Sequence, residues 1–333
     1  MTRSTTNLTL IRLGTVNPFL LELSRRKVDV ASLLQEMGLP RMVPASNEVF
    51  IPAVTIYELV EKTASAAGDP YLGFTIGQCL DLVSWGPITE AAAKAVTVGE
   101  LLSRFVVNSL EYSSSTCFYL RTEGDRSIFG FERIAEPSVV PAQNDAFYLG
   151  CLLRVFEHAA GTDWDPAAVL VKIADPEAVP SIPEQLQIVR GGRRGIEFYF
   201  PTAWQFKPFR KSSFQGSRSL AATSQMPSSL IDSIHHALAP HIHEPNLSAD
   251  RAAEICGFGR RRLDRDLRKR GTTLAKEIAR LRARQAEKEL VESNRRISEV
   301  GELVGFADPT VFSRAFKNWT GQSPQEYRKH HRT

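Results

Sequence analysis

Arg261, Arg262, Arg265 and Arg268 crowd into the stretch RRRLDRDLRKRGTT, and Thr310, Ser313, Arg314 and Lys317 recur with similar spacing further along. Guanidinium groups donate paired N–H bonds to phosphate oxygens or to guanine O6 and N7. Hydroxyls donate and accept, and an ammonium group is a mobile point charge. At about 100° per residue, Arg261, Arg265 and Arg268 fall opposite Leu263 and Leu267. By the same count Thr310, Ser313, Arg314 and Lys317 fall opposite Phe312, Ala315, Phe316 and Trp319. Each set is therefore a helix docked by its apolar side, with cations and hydroxyls facing away. That arrangement suits insertion into the major groove of a duplex. A surface helix with solvated charges has the same pattern, so one such segment alone decides nothing.

The elements around these helices repeat, and the repetition carries the argument. In Ile297 to Arg328, ISEVGELVGFADPTVFSRAFKNWTGQSPQEYR, Ser298 reads as an N-cap, and Val300, Leu303 and Val304 give a first helix its apolar face. Gly305 can end that helix in the left-handed conformation, and Asp308 can cap the next one with Pro309 in its first turn. In Leu247 to Thr272, Ser248 reads as an N-cap and Ala252, Ala253 and Ile255 line a helix. Cys256-Gly257-Phe258 then matches Val304-Gly305-Phe306. Between the two units Leu274 to Glu292 lacks Gly and Pro and is rich in strong helix formers. At ~1.5 Å per residue it spans roughly 28 Å, close to the ~34 Å between successive major-groove faces on one side of B-DNA.

On these residues the C-terminal part resembles the DNA-binding domain of the AraC family of bacterial transcription regulators. The resemblance runs through Gly305-Phe306, Phe312, Arg314-Ala315-Phe316-Lys317, Gly321, Ser323-Pro324 and Tyr327-Arg328. The first unit resembles the branch whose regulatory domain is of the arabinose-binding type, as in ornithine-utilisation regulators, and the amino-terminal part is similar to that branch more loosely. The resemblance implies two helix-turn-helix units, about 248–270 and 297–319, joined by a long linker helix in an all-α domain. It also implies an activator of transcription whose partners are double-stranded DNA and RNA polymerase. A small-molecule effector, a homodimer, or both would engage the amino-terminal domain, with no cofactor. Arg261, Arg262 and Arg265 are expected nearest base edges, with Arg260, Arg268 and Lys269 on phosphates. In the second helix Thr310, Ser313 and Arg314 are expected to read or position, and Lys317 to grip phosphate.

The chain as a whole is consistent with that reading. Its 333 residues suffice for two domains. Residues 246–333 hold 20 Lys and Arg against 12 Asp and Glu, so the basic excess lies at the end that carries the repeated units. Cys79, Cys117, Cys151 and Cys256 form no CxxC pair, which argues against a disulfide framework or a zinc site. No signal-peptide core or membrane-length apolar run is present, so a soluble, cytoplasmic protein is expected.

The amino-terminal part predicts an α+β domain of several helices around a small antiparallel sheet. Residues 1–15 are expected to fray. Helices are expected from Asn17, over Val30 to Met37, from Pro52-Ala53, over Tyr71 to Gln78, behind caps at Thr89 and Thr97, and over Asp145 to Ala160. Thr116 to Thr122 and Ser127 to Ile134 read as a hairpin, and Val169 to Ile173 and Ile196 to Phe200 as further strands. The domains are placed at 1–215 (effector binding or dimerisation) and 229–333 (DNA binding), with a serine-rich linker at 216–228.

Three further features could carry chemistry. Trp85, Tyr112, Tyr119, Phe131, Tyr148 and Trp204 can line a pocket, though such aromatics are more often core. Arg190 and Arg194 flank a cationic turn that could hold an anionic effector. His235-His236 and His241-Ile-His243-Glu244 offer metal-ligand types, but a wet interdomain surface explains them more simply, and His330-His331 reads as a terminal tail. Catalytic signatures are missing: there is no G-x-S-x-G, H-E-x-x-H, Walker loop or Rossmann glycine pattern. The alternative of a nucleic-acid-targeted enzyme, with a metal-dependent or other active site in residues 1–215, stays open beside the regulator.

Overall fold

A computed structural model describes residues 8–39, 49–82, 85–180, 186–210, 226–245 and 247–331. The chain divides into two compact units, Thr9–Met226 and Pro227–Thr333.

The first unit opens with strand β1 (Leu10–Arg12), then helices α1 (Asn17–Arg25) and α2 (Val30–Glu36). Strand β2 (Phe50–Pro52) pairs antiparallel with β1, and α3 (Ala53–Ala67), α4 (Leu72–Cys79), α5 (Gly86–Lys94) and α6 (Val98–Asn108) follow. The expectation that residues 1–15 fray is wrong from Thr9 onwards. Leu10, Ile11 and Leu13 are buried, and Arg12 is fully buried with its guanidinium 4.5 Å above the Phe50 ring and Nε donating to Glu111 O. A three-residue strand whose partner lies far along the chain leaves no local period to read. Thr97 caps α6 by accepting from the Glu100 amide, as expected. Thr89 does not cap: it sits inside α5, its hydroxyl donating back to Trp85 O, and Trp85 occupies the N-cap position.

A five-stranded sheet completes this unit in the order β3 (Thr116–Glu123), β4 (Arg126–Arg133), β7 (Gly195–Pro201), β5 (Leu170–Ile173), β6 (Gln187–Arg190). It is antiparallel except for β6, which runs parallel to β5 and was not foreseen. The β3–β4 hairpin closes at Glu123↔Arg126 around Gly124, whose φ of 66° meets the turn's demand. Along β7, Ile196, Phe198 and Phe200 point inward while Glu197 and Tyr199 point out, the alternation of a half-buried strand.

Helix α7 (Ala142–Ala160) covers the inner face, stacking Phe156 on Phe198 at 5.1 Å. It begins a turn earlier than Asp145 and is buried on most sides. Its back meets α4 almost backbone to backbone, and a Cβ on Gly77 would lie 2.3 Å from Phe147 O. Beneath the sheet Arg133 and Asp145 form a fully buried ion pair, completed by Arg133 Nη1 to Arg193 O and by the Ala174 amide to Asp145. The proposed linker at 216–228 falls mostly on 211–225, outside the described residues.

The second unit is entirely helical: α8 (Leu230–Leu238), α9 (Ala249–Ile255), α10 (Arg260–Arg268), α11 (Leu274–Glu292), α12 (Ile297–Leu303), α13 (Pro309–Thr320) and α14 (Pro324–His331). Helix α11 is its spine: α8, α9 and α10 pack on it, and so do α12, α13 and α14. His330 and His331 are the last turn of α14, not a loose tail, and the His331 ring stacks on Tyr327 at 4.1 Å.

Candidate nucleic-acid interface

Helix α9 begins as the sequence requires, with Ser248 accepting from the Arg251 amide, and ends at Gly257 with φ of 69°. Helix α10 follows after Gly259. Leu263 and Leu267 are fully buried, while Arg261, Arg262, Arg265 and Arg268 are exposed. The C-terminal end of α10 is fixed from within. Glu277, completely buried in the first turn of α11, accepts from the Thr272 hydroxyl, lies 2.9 Å from His235 Nε2 and 2.6 Å from Arg280 Nη1. A carboxylate with several charge-assisted partners can be buried at low cost and makes its surroundings rigid.

Helix α12 starts one residue before the expected cap. Arg296, not Ser298, holds the N-cap position, and its amide donates to Glu299 Oε2 at 2.7 Å, the returning half of a capping box. Gly305 ends α12 with φ of 79°. Asp308 caps α13 as expected, accepting from the amides of Thr310 at 2.6 Å and Val311 at 3.3 Å, and these bonds hold its carboxyl below the usual range. Phe312 and Phe316 are fully buried against Ala286, Leu290, Val300 and Val304. Thr310, Arg314 and Lys317 are exposed, and Ser313 is half-buried with its hydroxyl donating to Pro309 O. Arg328, part of the family-like Tyr327-Arg328 pair, faces inward, donating to Leu290 O and Arg295 O and so closing the end of α11.

The cations on these faces differ in how free they are. Arg261, Arg265 and Arg268 have no ion-pair partner among the described residues. Arg260 is engaged by Asp264 at 2.6 Å and Asp250 at 3.5 Å, so its expected role on phosphate competes with two carboxylates. Lys269 Nζ stands 3.5 Å from Asp266, and the Arg262 guanidinium lies 5.7 Å from the Phe258 ring centroid. An unpaired guanidinium exchanges only water and counterions for phosphate, whereas a paired one must first break its ion pair.

One residue ties the connection that leads into the first repeated unit to the turn of the second, and it was not singled out in the sequence. Arg282, midway along α11, donates from Nη2 to Glu244 O in the α8–α9 connection, and its guanidinium lies 5.3 Å from the Phe306 ring in the α12–α13 turn. Its position in a helix of many arginines gave no signal.

Two of the histidines are not on a wet surface, while His243 is exposed and His236 half-buried. His235 is buried against Glu277, and His241 is buried with Nδ1 at 2.8 Å from Glu244 Oε1. Burial holds the His241 imidazole below its ordinary value against the pull of Glu244. No group of three or more His, Cys, Asp or Glu side chains among the described residues could hold a metal ion. Burial pushes the Cys256 thiol up to about 12, which removes it as a nucleophile at neutral pH.

In the first unit Arg190 ends β6 and is held by Asp175 at 2.9 Å, and Arg194 is exposed with Glu136 3.7 Å away. Neither lines a cavity among those described. Of the aromatics, Trp85, Tyr112 and Tyr148 line one, Phe131 packs beside Tyr148, Trp204 is core against Phe156, and Tyr119 faces outward near Glu197.

Residues 28–186 match the arabinose-binding domain found at the N-terminus of AraC transcription regulators, and residues 252–330 match a helix-turn-helix domain. Over 80 residues the chain is 35% identical to the ornithine utilization regulator of Pseudomonas aeruginosa, covering 24% of each protein. Over 84 residues it is 32% identical to the bifunctional transcriptional activator/DNA repair enzyme AdaA of Bacillus subtilis, covering 25% of this chain and 40% of that one. The matched stretches thus span less than half the length of these relatives. Among solved structures it is similar to the transcriptional regulator CdpR from Pseudomonas aeruginosa at 16% identity, with a TM-score of 0.39 over 98% of this chain and 100% of that one. No described helix is long and apolar enough to cross a membrane.

Proposed function

Since the chain belongs to the AraC family of DNA-binding transcription regulators, we propose that it activates transcription from sites where α10 and α13 enter successive major grooves of one duplex. The observation that carries this reading is the pair of exposed cationic faces, Arg261, Arg265 and Arg268 on α10 and Thr310, Arg314 and Lys317 on α13, both docked on α11. Arg261, Arg262 and Arg265 read bases, with guanine O6 and N7 the natural acceptors, while Arg268 and Lys269 neutralise phosphate. Thr310, Ser313 and Arg314 read or position from the second helix, and Lys317 grips the backbone.

The amino-terminal unit supplies a small-molecule site, a homodimer contact, or both. A dimer raises the effective concentration of the second DNA-binding unit over paired half-sites. An effector acts by binding two arrangements of the protein unequally. RNA polymerase is the partner that an activator at such a site would recruit, in the cytosol.

Genomic footprinting of the purified protein, followed by gel retardation over a salt series, tests this. Arg265→Ala is expected to cost roughly 1–3 kcal/mol and to relax preference at one base pair. Lys317→Ala is expected to weaken all sequences alike and to reduce the salt slope by about one. Unchanged affinity and preference in Arg265→Ala would remove α10 from the base-reading role.

A further inference from the structure

Two cavities lie inside the first unit on either side of a shared wall. One, of about 50 Å³, is lined by side chains from α1, α3, α6, β3 and α7. The other, of about 30 Å³, lies among Leu82, Leu101, Leu102 and Leu152. Trp85, Phe105 and Tyr148 line both and form the wall between them. The Trp85 indole is tethered by one hydrogen bond, Nε1 to Thr15 O at 3.1 Å, and occupies the N-cap position of α5 without a capping bond of its own.

The lining excludes most classes of ligand. No Asp, Glu, Lys, Arg or His lines either cavity, so a carboxylate or an ammonium group would enter without a counter-charge, which is prohibitive in an apolar site. The hydroxyls of the first cavity are already engaged with one another or with the backbone. Tyr57 OH lies 3.2 Å from Ser115 Oγ, Ser115 Oγ lies 2.8 Å from Ser113 Oγ, and Ser109 Oγ donates to Val106 O. The Tyr148 hydroxyl is different. Its ring is locked edge-on against Trp85, Phe131 and Phe147, yet the hydroxyl makes no hydrogen bond among the described residues. A sugar presents a hydroxyl on nearly every carbon, whereas this lining is mostly aromatic and aliphatic, and apart from the Tyr148 phenol and the Asn144 side chain its polar groups are hydroxyls drawn into local contacts. A cavity of about 150 Å³ accepts benzene, which neither chamber reaches alone, so joining the two and vacating the space of the indole between them is the way this lining makes room for a ring.

We propose that the two chambers are a single effector site, joined when the Trp85 indole moves. It takes a small, uncharged, mainly apolar molecule bearing one hydroxyl or carbonyl, seated against the Tyr148 hydroxyl. This rests on the reading of the first unit as effector-responsive and adds the ligand's chemical class. It also separates this domain from a polyol-binding role.

The test uses the full chain with phenol, toluene, benzoate and L-arabinose as probes, followed by saturation-transfer NMR and by the thermal midpoint. Phenol is expected to bind at least tenfold more tightly than benzoate or L-arabinose. Tyr148→Phe is expected to weaken phenol at least threefold while leaving toluene within twofold. Retention of the protein's own DNA fragments is measured in parallel. Equal or tighter binding of benzoate or L-arabinose overturns the proposal. So does unchanged phenol binding in Tyr148→Phe, or no binding of phenol and toluene up to their solubility. If phenol binds as stated and DNA retention does not respond, the site stands and the effector-responsive reading fails. If a charged compound alters DNA retention without competing with phenol, that reading stands and this site is not the one that serves it.

Discussion

Gly305→Ala tests whether the repeated units are keyed to each other at the α12–α13 turn. Gly305 has φ of +79°, and a Cβ there would lie 2.6 Å from Arg282 Nη2, 2.7 Å from Ile242 O and 2.8 Å from Glu244 O. Two of these are backbone atoms of the α8–α9 connection and cannot swing aside. The left-handed backbone costs an alanine ~1–2 kcal/mol, and forcing a methyl into a closed contact adds ~1–3 kcal/mol. Gly321, which ends α13 with φ of +82°, is the control, because nothing lies within 4 Å of its Cβ position. Gly321→Ala therefore carries the backbone cost alone. In a helical unit of about 100 residues, 1 kcal/mol shifts the thermal midpoint by roughly 4–8 °C. Gly305→Ala is expected to lower the midpoint of the DNA-binding unit by roughly 10 °C or more, and by clearly more than Gly321→Ala, in scanning calorimetry of the full chain. Equal shifts in the two variants would refute the idea that the α8–α9 connection is wedged against this turn.

Other expectations follow from the buried and paired charges. Asp145→Asn strands the Arg133 guanidinium in the core and is expected to cost roughly 3–5 kcal/mol in denaturant titrations, while Arg133→Met with Asp145→Leu recovers much of it; simple additivity in that cycle would mean the two are uncoupled. Burial pushes the Glu61 carboxyl up to about 7, although its bond from the Gln143 amide pulls the other way. A carboxyl whose folded value exceeds its unfolded one stabilises fully below the unfolded value, and loses that contribution as pH rises through the folded one. Stability of the first unit should therefore fall from about pH 4.5 to about pH 7, and Glu61→Gln should flatten that slope; an identical slope in the variant would exclude Glu61 as its source. Glu277→Gln weakens the charge-assisted bonds to His235, Thr272 and Arg280, worth roughly 1.5–3 kcal/mol for a bond to a charged group; it should lower stability while leaving base preference unaltered in footprinting. Arg260→Ala should reduce DNA affinity much less than Arg268→Ala in gel retardation, because Arg260 is already held by Asp264 and Asp250.

The DNA-binding unit was legible because its information is local. Caps at Ser248 and Asp308, left-handed glycines at 257 and 305, and apolar residues four apart each need only a short window, and they occur twice. Ser298 failed as a cap for a local reason too: Glu299 reaches back to the Arg296 amide and starts α12 earlier. In the first unit the hairpin was readable from alternation and from Gly124. Strand β6 was not, because its exposed residues show no alternation between buried and exposed positions, and β1 and β2 were not, since three residues hold less than two periods and the partner lies far away. The burial of His235 was hidden for the same reason. Glu277 lies 42 residues from His235, and only packing on α11 brings them together.

The charges show where sequence periodicity stops being enough. Angular counting placed Arg261, Arg265 and Arg268 on one outward face, and the structure exposes all three. It could not separate cations held in place from cations available to a phosphate. The i,i+4 spacing of Arg260 and Asp264, and the i,i+3 spacing of Asp266 and Lys269, were visible beforehand and mark two that are held. The contact that ties the units has no such spacing. Arg282 meets the Glu244 carbonyl on one side and the Phe306 ring on the other, joining residues separated by most of the domain. Because that joint is made on α11 itself, the orientation of α10 relative to α13 depends on the packing along this helix as well as on its length. A change at Arg282 or Gly305, neither on an outward cationic face, therefore reaches both α10 and α13 at once.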